Sequence, residues 1–146
     1  MTIQRMKMAH YRRYRPAVVI ARTHARELAE KWELTEVRDY LELAVSELVT
    51  NAVVHGRAAK GSRVTVTYRL DEERLWAEVR DWASGMPKIS RPSPRGMYAD
   101  GGRGLRVVAA ITDRWGVIPR VIGKSVWFEF KRNSAPADAT CRGETS

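Results

Sequence analysis

Apolar residues recur at Val37, Leu41, Ala44, Val45, Leu48, Val49, Ala52 and Val53, the spacing of a helix with one buried face. Thr35, with Arg38 and Asp39 behind it, is a suitable cap for that helix, and Gly56 suits the position just past its end. An earlier helix is expected from Pro16, a good first-turn residue, through Val18, Val19, Arg22, Ala25, Arg26, Leu28 and Ala29 to about Trp32. After the polar loop Arg57–Ser62 the period changes to two. Val64, Val66, Tyr68 and Leu70 alternate with Thr65, Thr67 and Arg69; beyond Asp71-Glu72-Glu73, Leu75, Ala77 and Val79 alternate with Trp76, Glu78 and Arg80. That is an antiparallel hairpin with one face buried.

Residues 82–103 break all periodicity with glycines, prolines, serines and basic side chains. A loop of that length within a domain is usually functional or disordered. A short helix follows from Leu105 to about Ile111, then two strands near Arg114–Ile118 and Lys124–Phe130 around a turn at Pro119–Gly123. Residues 1–15 form a basic arm or edge strand, 16–132 the folded domain, and 133–146 a Ser/Ala/Pro/Thr-rich tail expected to be disordered. The order describes an α+β fold, an antiparallel sheet covered on one face by about three helices.

Composition narrows the setting. At 146 residues, 44% apolar and 29% charged, the chain reads as one ordinary globular domain. It has no apolar run long enough to span a membrane and no secretory h-region, and its one cysteine, Cys141, can form no internal disulfide. A reduced, cytoplasmic setting is the expectation. The net charge of +9 asks for an acidic partner: nucleic acid, nucleotide phosphate or an acidic protein surface.

Three short segments carry candidate chemistry. Glu47, Asn51 and His55 stand at i, i+4 and i+8, one polar row beside the apolar stripe. An acid and an amide one turn apart offer a proton acceptor and an oxygen ligand for a hard cation such as magnesium, although a solvated helix edge has the same pattern. His55 either orients Glu47 or a phosphate or, as is more usual for a histidine at a helix end, caps or packs, and the second is the favoured reading. Asp81 closes a strand before Trp82-Ala83-Ser84-Gly85. A carboxylate there accepts from adenine N6 and opposes guanine O6, and Gly85 lets the backbone approach a base; a turn-capping Asp is the plainer alternative. Of the five tryptophans, Trp82 alone is suspected of touching a ligand. Gly101-Gly102-Arg103-Gly104-Leu105 opens the third helix. Exposed N–H groups and the helix dipole make a phosphate site there, and a simple hinge is the alternative.

In this order and spacing, Ser46–Gly56, Val79–Pro87 and Gly101–Val108 resemble the Bergerat-type ATP-binding fold of gyrase, the histidine kinases and the mismatch-repair ATPases. Within it the chain is similar to the small anti-sigma factor serine/threonine kinases, from about residue 16 to 130. The resemblance implies a two-layer sandwich with a mixed, mostly antiparallel sheet. It implies that Asn51 holds Mg²⁺ on the ATP phosphates and that Glu47 accepts the serine proton. Asp81 and Gly85 would meet adenine, and Gly102 and Gly104 the phosphates, with Leu105 beside them. Arg95 and Arg103 would reach the phosphates from a lid over 86–101. The implied partners are a sigma factor and an antagonist protein phosphorylated on serine, with a homodimer expected and no direct nucleic acid. Two departures stand out: Ala83 where the family often has glycine, and a short, proline-bearing lid. The rival readings are a non-catalytic partner-switch module in which ATP only shapes a docking surface, and a nucleic-acid binder using the basic arm. The last leaves the polar row unexplained.

Overall fold

The computed structural model describes residues 2–55, 62–82 and 102–132. The basic arm is strand β1, Arg5–Arg12, and the expected hairpin is β2, Arg63–Leu70, and β3, Arg74–Asp81. Strands β4, Arg114–Pro119, and β5, Lys124–Lys131, complete a five-stranded sheet of order β1-β2-β3-β5-β4. Every pairing is antiparallel, so among the described residues no parallel pair makes the sheet mixed. The register gathers Tyr11, Val64, Val66, Tyr68, Leu70, Leu75, Ala77, Val79, Phe128 and Phe130 on one face, all buried. Helices α1, Pro16–Lys31, α2, Arg38–Thr50, and α3, Gly102–Ile111, join the same core. This is the two-layer α+β architecture that the periodicity predicts.

The stripe that buries α1 is Ala17, Ala21, Ala25, Leu28 and Ala29; Val19 instead points to solvent. Small residues four apart let α1 lie close to α2. The helix ends in a Schellman motif: Leu34 N–H donates to Ala29 C=O at 2.7 Å and Glu33 N–H to Glu30 C=O at 3.2 Å. Glu33 takes the left-handed conformation at φ 58° that glycine usually fills. Thr35 does not cap α2. It opens a 3₁₀ turn, Thr35–Val37, that feeds into the helix, and no side chain bonds either N-terminus. Tertiary burial of Leu41, Val45, Leu48 and Val49 holds the helix instead.

The opposite sheet face is covered by its own long side chains. The Arg69 guanidinium lies 4.4 Å from the Trp76 ring centroid, and Arg120 reaches Glu78 at 2.7 Å and Ser125 at 3.1 Å. Thr65, Thr67, Glu78 and Ser125 are buried beneath this layer.

Candidate functional site

Alpha-helix α2 stops where the chemistry begins. Its last turn is α-helical through Asn51, whose N–H donates to the carbonyls of Glu47 and Leu48, so Glu47 and Asn51 do stand one turn apart on one face. Residues Asn51–His55 then widen into a single π-helical turn, a local rewinding frequent at functional sites. Glu47 and Asn51 are both half-buried, as befits residues at the margin of the apolar stripe.

Helix α3 starts at Gly102, three residues before the expected Leu105. Two of the glycines read as loop therefore lie in its first turn, where N–H groups have no intrahelical acceptor. Gly104 is buried directly against Asn51: a Cβ there would stand 2.6 Å from Asn51 Nδ2 and 3.2 Å from its Cγ and Oδ1. The absence of a side chain at Gly104 is what allows the Asn51 amide to lie against the start of α3. Leu105, half-buried, packs on the core behind them and Val108 is fully buried.

Asp81 ends β3 on the helix-covered face, opposite Val64 on one side and Lys124 on the other, and is buried. Its carboxylate is paired with Arg13, both side chains 7% exposed. The same guanidinium donates to the Ala52 carbonyl and, through Nε, to Ser62 Oγ at 2.7 Å. Burial lowers the Arg13 pKa. The turn between β4 and β5 closes the far side. Gly123 has φ +79°, and a Cβ there would overlap the Asp81 carbonyl oxygen. Only glycine fits both the conformation and the approach.

The structure thus brings Glu47, Asn51, Gly104, Leu105 and the helical backbone of Gly102 to one junction, and Arg13 ties Asp81 to Ala52, the neighbour of Asn51. Trp82 goes elsewhere. It follows Asp81 on the opposite face, donates through Nε1 to Thr65 Oγ at 2.9 Å, and lies under Arg80 at 3.4 Å; it does not share the Asp81 face. Gly56, Ala83, Gly85, Arg95 and the 86–101 segment lie outside the described residues, as do the side chains of His55 and Arg103. Arg13, Ser62 and Gly123 were not anticipated. Arg13 shares the odd-numbered parity of Ala9 and Tyr11, but so do the exposed Arg5 and Lys7, so parity alone does not single it out.

The described residues thus form an antiparallel sheet with α2 and a glycine-opened α3 meeting beside a buried strand-end carboxylate. The chain belongs to the histidine kinase-like ATPase domain family, whose model matches residues 13–130, and ATP is the ligand that membership implies. It is 40% identical over 58 residues to an anti-sigma F factor from Clostridium acetobutylicum, a stretch covering 40% of each protein. It is similar in fold to the crystal structure of the RsbU and RsbW domains of Rv1364c from Mycobacterium tuberculosis. There the TM-score is 0.61 at 18% identity, over 88% of this chain and 33% of that one. Among the described residues no helix is long and apolar enough to cross a membrane.

Proposed function

We propose that the chain is an Mg-ATP-binding, anti-sigma-factor-like serine/threonine kinase that sequesters a sigma factor and phosphorylates an antagonist protein on serine. The observation that carries this reading is the Asn51 amide resting against Gly104 at the start of α3. Phosphate oxygens prefer a helix N-terminus, and magnesium bound to phosphates needs only one or two protein oxygens. Magnesium would neutralise the charge of the phosphates and fix their orientation.

In this reading Asn51 supplies the metal's protein oxygen, and the first-turn N–H groups around Gly102 and Gly104 face the phosphates, with Leu105 backing them. Asp81 accepts from adenine N6 in a buried setting where guanine O6 would meet a like charge. Glu47 takes the proton of the incoming serine hydroxyl as its oxygen bonds the γ-phosphorus. The bond from that phosphorus to the β-phosphate oxygen breaks and ADP leaves. Gly85, Arg95 and Arg103 complete the adenine and phosphate contacts by resemblance. The sigma factor is supported by the name of the anti-sigma F relative; the antagonist and the homodimer follow from the family resemblance, and the cytoplasmic setting from the chain's cysteine usage.

Two variants one helical turn apart test the division of labour. Glu47→Ala should bind Mg-ATP normally and lose roughly 10²–10⁴-fold in serine phosphorylation, whereas Asn51→Ala should lose Mg²⁺-dependent affinity and transfer together. Unchanged transfer by Glu47→Ala would favour a site in which ATP only shapes a docking surface.

A further inference from the structure

The Arg13 guanidinium is a buried charge to which ATP binding as read above assigns no role. Arg13 lies just beyond β1, its N–H donating to the Ser62 carbonyl at 3.3 Å so that the strand's pairing continues past Arg12. Its guanidinium is 7% exposed and reaches three separate segments: Asp81 at the end of β3, the Ala52 carbonyl after α2, and Ser62 Oγ at the start of β2. Burying a guanidinium is costly unless it is paired and hydrogen-bonded. Here the planar fork is used on three partners that share nothing but their position around the junction, a task that a lysine's single nitrogen performs less well.

We infer that Arg13 is a positioning residue for adenine recognition, holding Asp81 as an oriented, acceptor-only carboxylate and locking that carboxylate to the end of α2. The inference rests on reading Asp81 as the adenine acceptor. An ionised carboxylate has two oxygens and room for about four donors. The pairing to Arg13 through Oδ1 is therefore compatible with accepting an exocyclic amine. A protonated Asp81 would behave differently: its O–H could donate to a C6 carbonyl oxygen, and discrimination between amine and carbonyl would fade. The adjacent positive charge favours the ionised form. The contact to Ala52 adds a geometric consequence. Because Ala52 follows Asn51, one side chain fixes the spacing between the base-reading carboxylate and the residue proposed to hold the metal.

Inosine triphosphate tests this directly, since it differs from ATP by a carbonyl in place of the C6 amine. Affinities for ATP and inosine triphosphate are measured by calorimetry on the full chain, for wild type, Arg13→Ala, Arg13→Lys, Asp81→Asn and the Arg13→Ala/Asp81→Asn double variant. Circular dichroism establishes that each is folded. Wild type should prefer ATP by tenfold or more. Arg13→Ala should bring the ratio close to one, mainly through weaker ATP binding, and the double variant should be no worse than Asp81→Asn, because Arg13 acts through Asp81. Arg13→Lys, which keeps the charge and serves if the alanine variant does not fold, should recover part of the ratio but not all of it. A wild-type ratio in Arg13→Ala or in Arg13→Lys, or losses that simply add in the double variant, would overturn the inference. A wild type that binds ATP no better than inosine triphosphate would overturn the reading of Asp81 itself.

Discussion

Gly104→Ala separates the site from the fold. The added methyl would lie 2.6 Å from Asn51 Nδ2 and 3.2 Å from its Cγ and Oδ1, against a comfortable separation of about 3.5–4.0 Å. Asn51 must therefore swing away. Gly104 lies in α3, so alanine gains about 1 kcal/mol in helix propensity. An asparagine forced off its rotamer costs about 0.5–1.5 kcal/mol. The two terms nearly cancel, and the melting temperature should change little. Nucleotide binding has no such compensation. Losing a contact from the amide to a charged phosphate or its metal costs about 1.5–3 kcal/mol, so Mg-ATP should bind roughly ten- to a hundredfold more weakly. Thermal denaturation and isothermal calorimetry on the same preparation measure both quantities. Wild-type Mg-ATP affinity in a folded Gly104→Ala chain would refute the claim that Asn51 and α3 share the phosphate site.

The Tyr68 hydroxyl is fully buried and has no hydrogen-bond partner among the described residues, so Tyr68→Phe should be neutral or stabilising by about 1 kcal/mol in urea unfolding; a loss above that would mean the hydroxyl is bonded. Glu33→Gly should raise stability by up to about 1 kcal/mol, because glycine holds φ 58° without a Cβ clash, and a lower denaturation midpoint would contradict the Schellman assignment. Burial pushes the Tyr11 hydroxyl, which bonds His24 Nδ1 at 2.6 Å, up to about 12. Between pH 10 and 12 the unfolded chain then loses a proton that the folded chain keeps. Stability should fall there by up to about 1.4 kcal/mol per pH unit from this group. Tyr11→Phe should flatten that slope in alkaline urea titrations, leaving the contribution of Tyr68, which burial and Tyr11 raise likewise.

Strict alternation made β2 and β3 legible almost to the residue, because a one-residue slip would turn Val64, Val66 and Tyr68 out of the core. The amphipathic period of α2 likewise placed Glu47 and Asn51 on one edge. The start of α3 was obscured because glycine is read as loop, while here Gly104 is needed inside the helix for its contact with Asn51. Thr35 carries a capping residue's chemistry, but the chain spends that position on a 3₁₀ turn after the Schellman end of α1. Arg13 was hidden among the arm's many arginines. The pairing register does not separate it either, since Arg5 and Lys7 share its parity and are exposed; its contacts to Asp81, Ala52 and Ser62 do. Its union with Asp81 spans segments far apart in sequence, which no local pattern encodes.

The most direct test of the central claim is a calorimetric titration of the wild-type chain with ATP, with magnesium and then with chelator, repeated with GTP and on Asn51→Ala. The account predicts ATP binding that weakens when Mg²⁺ is removed, prefers ATP over GTP through Asp81, and loses its Mg²⁺ dependence in Asn51→Ala. ATP binding with the same affinity in chelator, equal binding of GTP, or an unaltered Asn51→Ala would contradict it.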